Sequence, residues 1–136
     1  EMAKLKVPII SAVIGEGASG GALGIGISDI MICFENTWFS VISPEGCASI
    51  LFRDPSRAKE AADAMKVTAR DLYDFKIADI ILKEPNGGNH LNYDDASDIL
   101  KNELIKSLIK MNKINKEDLI EERMLKFEQM GSWSNG

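Results

Sequence analysis

The chain has 136 residues, 45% of them hydrophobic, with 16 Lys and Arg against 21 Asp and Glu and a formal net charge of −5. That length supports a single domain over 1–136 with a core of its own, and the charged fraction of 27% is ordinary for a soluble globular protein. The acidic balance argues against nucleic acid or an anionic membrane as partner, and no stretch approaches the roughly 18 apolar residues of a membrane span.

Cys33 and Cys47 match no metal-ligand spacing and cannot staple a secreted scaffold. A reducing, cytoplasmic compartment is therefore expected. Glu1 to Lys6 is charged and lacks a signal-peptide core.

Charge divides the chain at about residue 53. Residues 1–52 carry seven charged side chains and 53–136 carry the other 30, with no basic residue between Lys6 and Arg53. The first part reads as a buried Gly-rich core that other protein must surround, and the second as a helical remainder.

Val7 to Ile14 is a continuous apolar, β-branched run that predicts a strand buried on both faces. Gly15 and Gly17 end it, Ser19 caps a short helix over 20–28, and 29–34 and 38–42 read as strands. Ser43-Pro44-Glu45 is a helix start: cap, proline at the first helical position, acid in the first turn. Asp54-Pro55 repeats that logic before a stripe of Ala58, Ala61, Ala62 and Met65. Thr68 to Asp71 is a near capping box opening a helix to about Lys76, and Ile77 to Leu82 a strand. After the Glu84 to Leu91 loop, Asn92 caps a helix over 93–113 with a stripe of Ala96, Ile99, Leu100, Leu104, Leu108 and Met111. A last helix covers 116–130. Alternating strands and helices point to the α/β class.

Six of the 11 glycines fall between Gly15 and Gly26, and this cluster admits several chemistries. Gly15 to Gly20 is a G-x-G-x-x-G after a strand, with Glu35 about 20 residues on, the dinucleotide fingerprint with its ribose acid. The following helix has no polar side chain from Gly20 to Ile27 and looks enclosed all round, which counts against that reading. Gly17 to Gly21 is also a G-x-S-x-G, which would make Ser19 a hydrolase nucleophile with His90 downstream; the plainer role for Ser19 is the helix cap. A phosphate-binding P-loop fails for want of a lysine. The remaining readings are backbone ones: free N–H groups at a helix start that stabilise an oxyanion, or glycines that only allow tight packing.

The segments Val7-Pro8 through ISAVIGEGASGGALGIG and Trp38 to Leu51 (WFSVISPEGCASIL) resemble the carboxyltransferase α subunit of bacterial multisubunit acetyl-CoA carboxylase. The match runs on through Thr68 to Leu72 and Glu84 to His90. It covers nearly the whole chain but only about the C-terminal half of that subunit, so a fragment or trimmed product is expected.

The resemblance implies a crotonase-like spiral of ββα units, present here in part, with C-terminal helices. It implies transfer of a carboxyl group from carboxybiotin on a carrier protein to acetyl-CoA, giving malonyl-CoA for fatty-acid synthesis. The implied partners are a zinc-bearing β subunit in an α2β2 heterotetramer, the biotin carboxyl carrier protein and biotin carboxylase, with no metal on this chain. Gly20 and Gly21 would be the oxyanion-hole pair, with Gly17 and Ser19 beside the biotin ring. Glu45 matches a hydratase carboxylate in local motif, against a plain role as a helix-start acid. The other hydratase carboxylate position is occupied by Leu23. Gly15 and Gly17 are then assigned to the turn, and Gly24 and Gly26 to packing. An acyl-CoA hydratase or isomerase of the same superfamily and a serine hydrolase using Ser19 remain the alternatives.

Overall fold

A computed structural model describes residues 1–131. The elements are β1 (Ile10–Val13), β2 (Glu16–Ala18), α1 (Gly20–Ile25), β3 (Ile30–Phe34), β4 (Trp38–Ser40), α2 (Pro44–Phe52), α3 (Ala58–Met65), α4 (Ala69–Asp74), β5 (Ile80–Leu82), α5 (Tyr93–Met111) and α6 (Lys116–Glu128). Among the described residues no helix is long and apolar enough to cross a membrane.

The strands form two parallel sheets. One has the order β1-β3-β5, with Ile10 opposite Ile30 and Ile32 opposite Ile80. The other pairs β2 with β4, Glu16 opposite Trp38 and Ala18 opposite Ser40. The chain thus lays one strand in each sheet, crosses over α1, and repeats the move through β3, β4 and α2. Two successive ββα turns are the repeat that the α/β reading and the resemblance call for.

Strand β3 is the centre of the molecule because all five of its residues are buried. Side chains alternate across a strand, so its residues feed two cores. Ile30, Ile32 and Phe34 pack with Leu82, Met111 and Leu119, flanked by Ile99, Leu100 and Leu104 of α5. Met31 and Cys33 pack on the other face with Phe39, Ala69, Leu72 and Ala78. Each large aliphatic or aromatic side chain so buried contributes about 1.5–3 kcal/mol.

Three expectations need correction. β1 is not buried on both faces: it is an edge strand, with Ala12 and Ile14 exposed. Nor is α1 enclosed: Leu23 and Ile25 are exposed, Ile25 at 68%. On α5 Ser107 is buried beside Met111, at 3%, and Leu108 is not, at 42%. At about 100° per residue, position 107 falls between 96 and 100 inside the stripe set by 96, 100, 104 and 111, whereas 108 lies beyond its edge at 104. The cap signals hold, with Ser43, Thr68 and Asn92 each accepting from a backbone N–H three residues on.

Helix α6 is fixed by charge buried inside the fold. Arg123 is 1% exposed. Its Nε and Nη2 donate to the Asp29 carboxylate at 2.7 and 2.8 Å, and the same guanidinium donates to the carbonyls of Ala3, Leu5 and Val7 at 2.9–3.0 Å. Asp29 also accepts the Ile9 N–H at 2.7 Å. Beside it Lys126 donates to Asp79 at 2.6 Å, and Asp79 accepts the Met31 N–H at 2.7 Å. Removing one partner of such a pair strands a buried charge. Arg123→Met is accordingly expected to cost about 3–5 kcal/mol in urea unfolding, against about 1 kcal/mol or less for Lys6→Ala, which breaks an exposed pair with Glu117.

Candidate functional site

The glycine segment leaves β1, forms β2 and turns into α1. Ser19 makes that turn in extended backbone: its N–H donates to the Ser40 carbonyl at 3.1 Å, and its Oγ accepts the Ala22 N–H at 3.0 Å. The first N–H groups of a helix have no intrahelical acceptor. Among the described residues those of Gly20 and Gly21 have no other partner either. A Cβ at Gly20 would meet nothing within 4 Å, and one at Gly21 would meet only Ser19 Oγ at 3.4 Å. Two adjacent donors therefore stand open at the positive end of a short helix. Gly17, Ser19 and Gly21 line a groove of about 520 Å³ between β1 and α1.

The glycines divide differently from expectation. Gly26 is a packing glycine as anticipated, since a Cβ there would lie 2.9 Å from Phe39 Cζ and 3.1 Å from Met31 Cε. Gly17 belongs with it and not with the turn: it sits inside β2, and its Cβ would meet the Phe39 ring at 3.0 Å. Gly24, expected to pack, has open space around it within this chain.

The structure does not bring the other candidates together. Glu45 is exposed in the first turn of α2, outside the groove lining. Ser19 Oγ is occupied as a cap, and His90 belongs to a separate cavity, so no nucleophile–base pair forms. Leu23 is exposed on the outer face of α1. The dinucleotide fingerprint fails on geometry: its central glycine, Gly17, lies in strand β2 of the second sheet, not in a loop running straight into a helix. Glu35, the would-be ribose ligand, accepts the Glu84 N–H at 2.9 Å and so anchors a loop. Among the described residues no three His, Cys, Asp or Glu side chains converge as a metal site. Burial pushes the Cys33 thiol up to about 11, so it is inert at neutral pH, while Cys47 is half-buried.

Sequence reasoning missed the Asp29–Arg123 pair. The available signal was Asp29 itself, an isolated charge between apolar runs that would need a partner if buried.

A family model described as acetyl co-enzyme A carboxylase carboxyltransferase-like matches residues 1–131. Similar proteins include the acetyl-coenzyme A carboxylase carboxyl transferase subunits alpha of Staphylococcus saprophyticus (47% identical over 134 residues, 98% of this chain and 43% of that protein) and Prochlorococcus marinus strain NATL2A (50% over 133 residues, 98% and 40%). That of Clostridium botulinum strain Eklund 17B is 47% identical over 132 residues, 97% of this chain and 48% of that protein. The chain spans less than half the length of these curated relatives. Among solved structures, the transcarboxylase 12S core aligns with a TM-score of 0.49 and 20% identity over 60% of this chain and 18% of that one.

Two measurements check this geometry. Gly26→Ala forces a Cβ into Phe39 and Met31 and should cost about 1–3 kcal/mol in denaturant unfolding, whereas Gly20→Ala should change stability by about 1 kcal/mol or less. A thiol reagent at pH 8 should label Cys47 well before Cys33, whose reaction should need unfolding or a pH approaching 11.

Proposed function

The chain belongs to the acetyl-CoA carboxylase carboxyltransferase family, and from that premise we propose that it supplies the carboxybiotin-facing part of a carboxyltransferase α subunit. The reaction moves a carboxyl group from carboxybiotin, carried on the biotin carboxyl carrier protein, to acetyl-CoA, forming malonyl-CoA for fatty-acid synthesis in the cytoplasm. The observation that carries the reading is the pair of adjacent N–H groups of Gly20 and Gly21, which donate to no acceptor among the described residues, on two residues that carry no side chain.

Loss of the carboxyl group leaves negative charge on the ureido oxygen of biotin. Two preorganised backbone donors suit that charge and need no reorganisation when it develops. Such donors act most strongly away from water. Here Leu23 and Ile25 on α1, Val41 beyond β4, and Ile50 and Leu51 on α2 are all exposed, Ile25 in the groove lining itself, so this apolar surface calls for cover. A zinc-bearing β subunit in an α2β2 assembly would provide it, with biotin carboxylase charging the carrier elsewhere. Gly17 and Ser19 shape the groove wall. Glu45 serves as an acid at a helix start. A hydratase or isomerase is not favoured, because Leu23 occupies the position of one carboxylate that such chemistry uses.

The test is carboxyl transfer from malonyl-CoA to biocytin by the full-length subunit mixed with β. Gly20→Val or Gly21→Val should lower kcat about 100-fold or more with little change in KM for malonyl-CoA, and Glu45→Gln should stay near wild type. Full activity in both valine variants would sink the oxyanion assignment. Labelling of Ser19 by a fluorophosphonate would instead favour a hydrolase.

A further inference from the structure

A cavity of about 690 Å³ lies apart from the glycine groove and shares only Ile14 and Gly15 with it. It opens beyond the carboxyl ends of β1, β3 and β5, the edge of a parallel sheet where the strands' ends and connecting loops leave a crevice for ligands. Its volume is in the range of small-molecule sites. Ile14, Phe34 and Leu100 give it apolar walls, and Tyr93, 71% exposed, stands at its rim.

Its polar lining is neutral or acidic apart from His90: Asn36, Thr37, Asn89 and Ser97 beside the Glu84 carboxylate. Asn89 Oδ1 is buried with no hydrogen-bond partner. Such an orphan acceptor costs free energy unless something donates to it. Beside it the Glu84 carboxylate accepts the Asn89 N–H at 3.2 Å. No Lys or Arg lines the cavity, and among the described residues none pairs with Glu84. The loop is shaped to hold these acceptors in place. Gly87 and Gly88 both have positive φ, and a Cβ on them would lie 2.9 Å from Leu91 Cδ1 and 3.0 Å from the His90 ring. The positive end of the α5 dipole is offset by Asp94 and Asp95 in its first turn.

We infer that this cavity is a binding site for an organic cation, a primary ammonium or amidinium on an apolar or aromatic body. The cation donates to Asn89 Oδ1 and Glu84, its body lies against Phe34 and Leu100, and the Tyr93 ring covers the charge. Phosphates and carboxylates are turned away, because the cavity offers them an acid and no basic side chain beyond His90. The inference does not depend on carboxyl transfer.

The probe is benzamidine, titrated calorimetrically into the full-length subunit at pH 8, with benzoate as the isosteric anion. Benzamidine should bind and benzoate should not. Glu84→Gln, which keeps an acceptor for the Asn89 N–H but removes the charge, should weaken binding about tenfold, and Asn89→Ala by a similar factor. Tyr93→Leu, at an exposed position that does not threaten folding, should weaken it about threefold. Circular dichroism checks each variant's fold. Equal binding of benzoate, no binding of benzamidine, or unchanged affinity in folded Glu84→Gln and Tyr93→Leu would overturn the assignment.

Discussion

The fold depends on one buried ion pair, Asp29 with Arg123. The carboxylate stands immediately before β3 and receives both the Ile9 N–H and two guanidinium donors, while the same guanidinium gathers four carbonyls of the N-terminal segment. Residues 94 apart in sequence are thereby fixed to one point. Asp79 and Lys126 repeat the arrangement before β5. Each carboxylate holds a backbone N–H at the start of its strand pairing and also docks α6. A buried pair of this kind is weak evidence for net stability, since desolvation offsets the attraction. What it does is tie α6 to the start of β3, where each charge has the other as its partner.

That placement reaches the glycine groove through a short path. Asp29 lies four residues beyond the end of α1, and Lys126 also donates to the Asp29 carbonyl at 3.2 Å. The last carbonyl of α1, on Ile25, accepts from Ser11 Oγ at 2.7 Å, and Gly26 is wedged between Phe39 and Met31. At the other end Ser19 is tied to Ser40. A helix of six residues has little stability of its own, so these ties at both ends are what hold the Gly20 and Gly21 donors in a fixed direction. Leu23 and Ile25, two residues apart and so on opposite sides of α1, are both exposed, and Ile25 lines the groove.

Much of the chain could be read without coordinates. Caps at Ser19, Ser43, Thr68 and Asn92 are local chemistry, a side-chain oxygen within reach of an N–H two or three residues on, and each stands where its sequence signal placed it. The run of β3 read as a strand, and it is one, buried along its whole length. The run of β1 read as a strand buried on both faces and was misleading, because hydrophobicity records that a surface needs cover and not which chain covers it. Strand β2 was invisible: three residues with a central glycine carry no period, and their strand state is imposed by pairing with β4.

Sequence by itself therefore determined the order of the elements other than β2, the caps and the glycine positions, since these depend on neighbours within a few residues. The segments carrying the family resemblance were equally plain. Tertiary structure alone decided that Gly17 packs and Gly24 does not, that Ser107 is buried in place of Leu108, and that Glu35 anchors a loop. It alone gave Asp29 its partner and left Asn89 Oδ1 without one. Those outcomes rest on contacts between segments tens of residues apart, whose distances follow from how the two sheets and α6 close on one another and from nothing local to any of them.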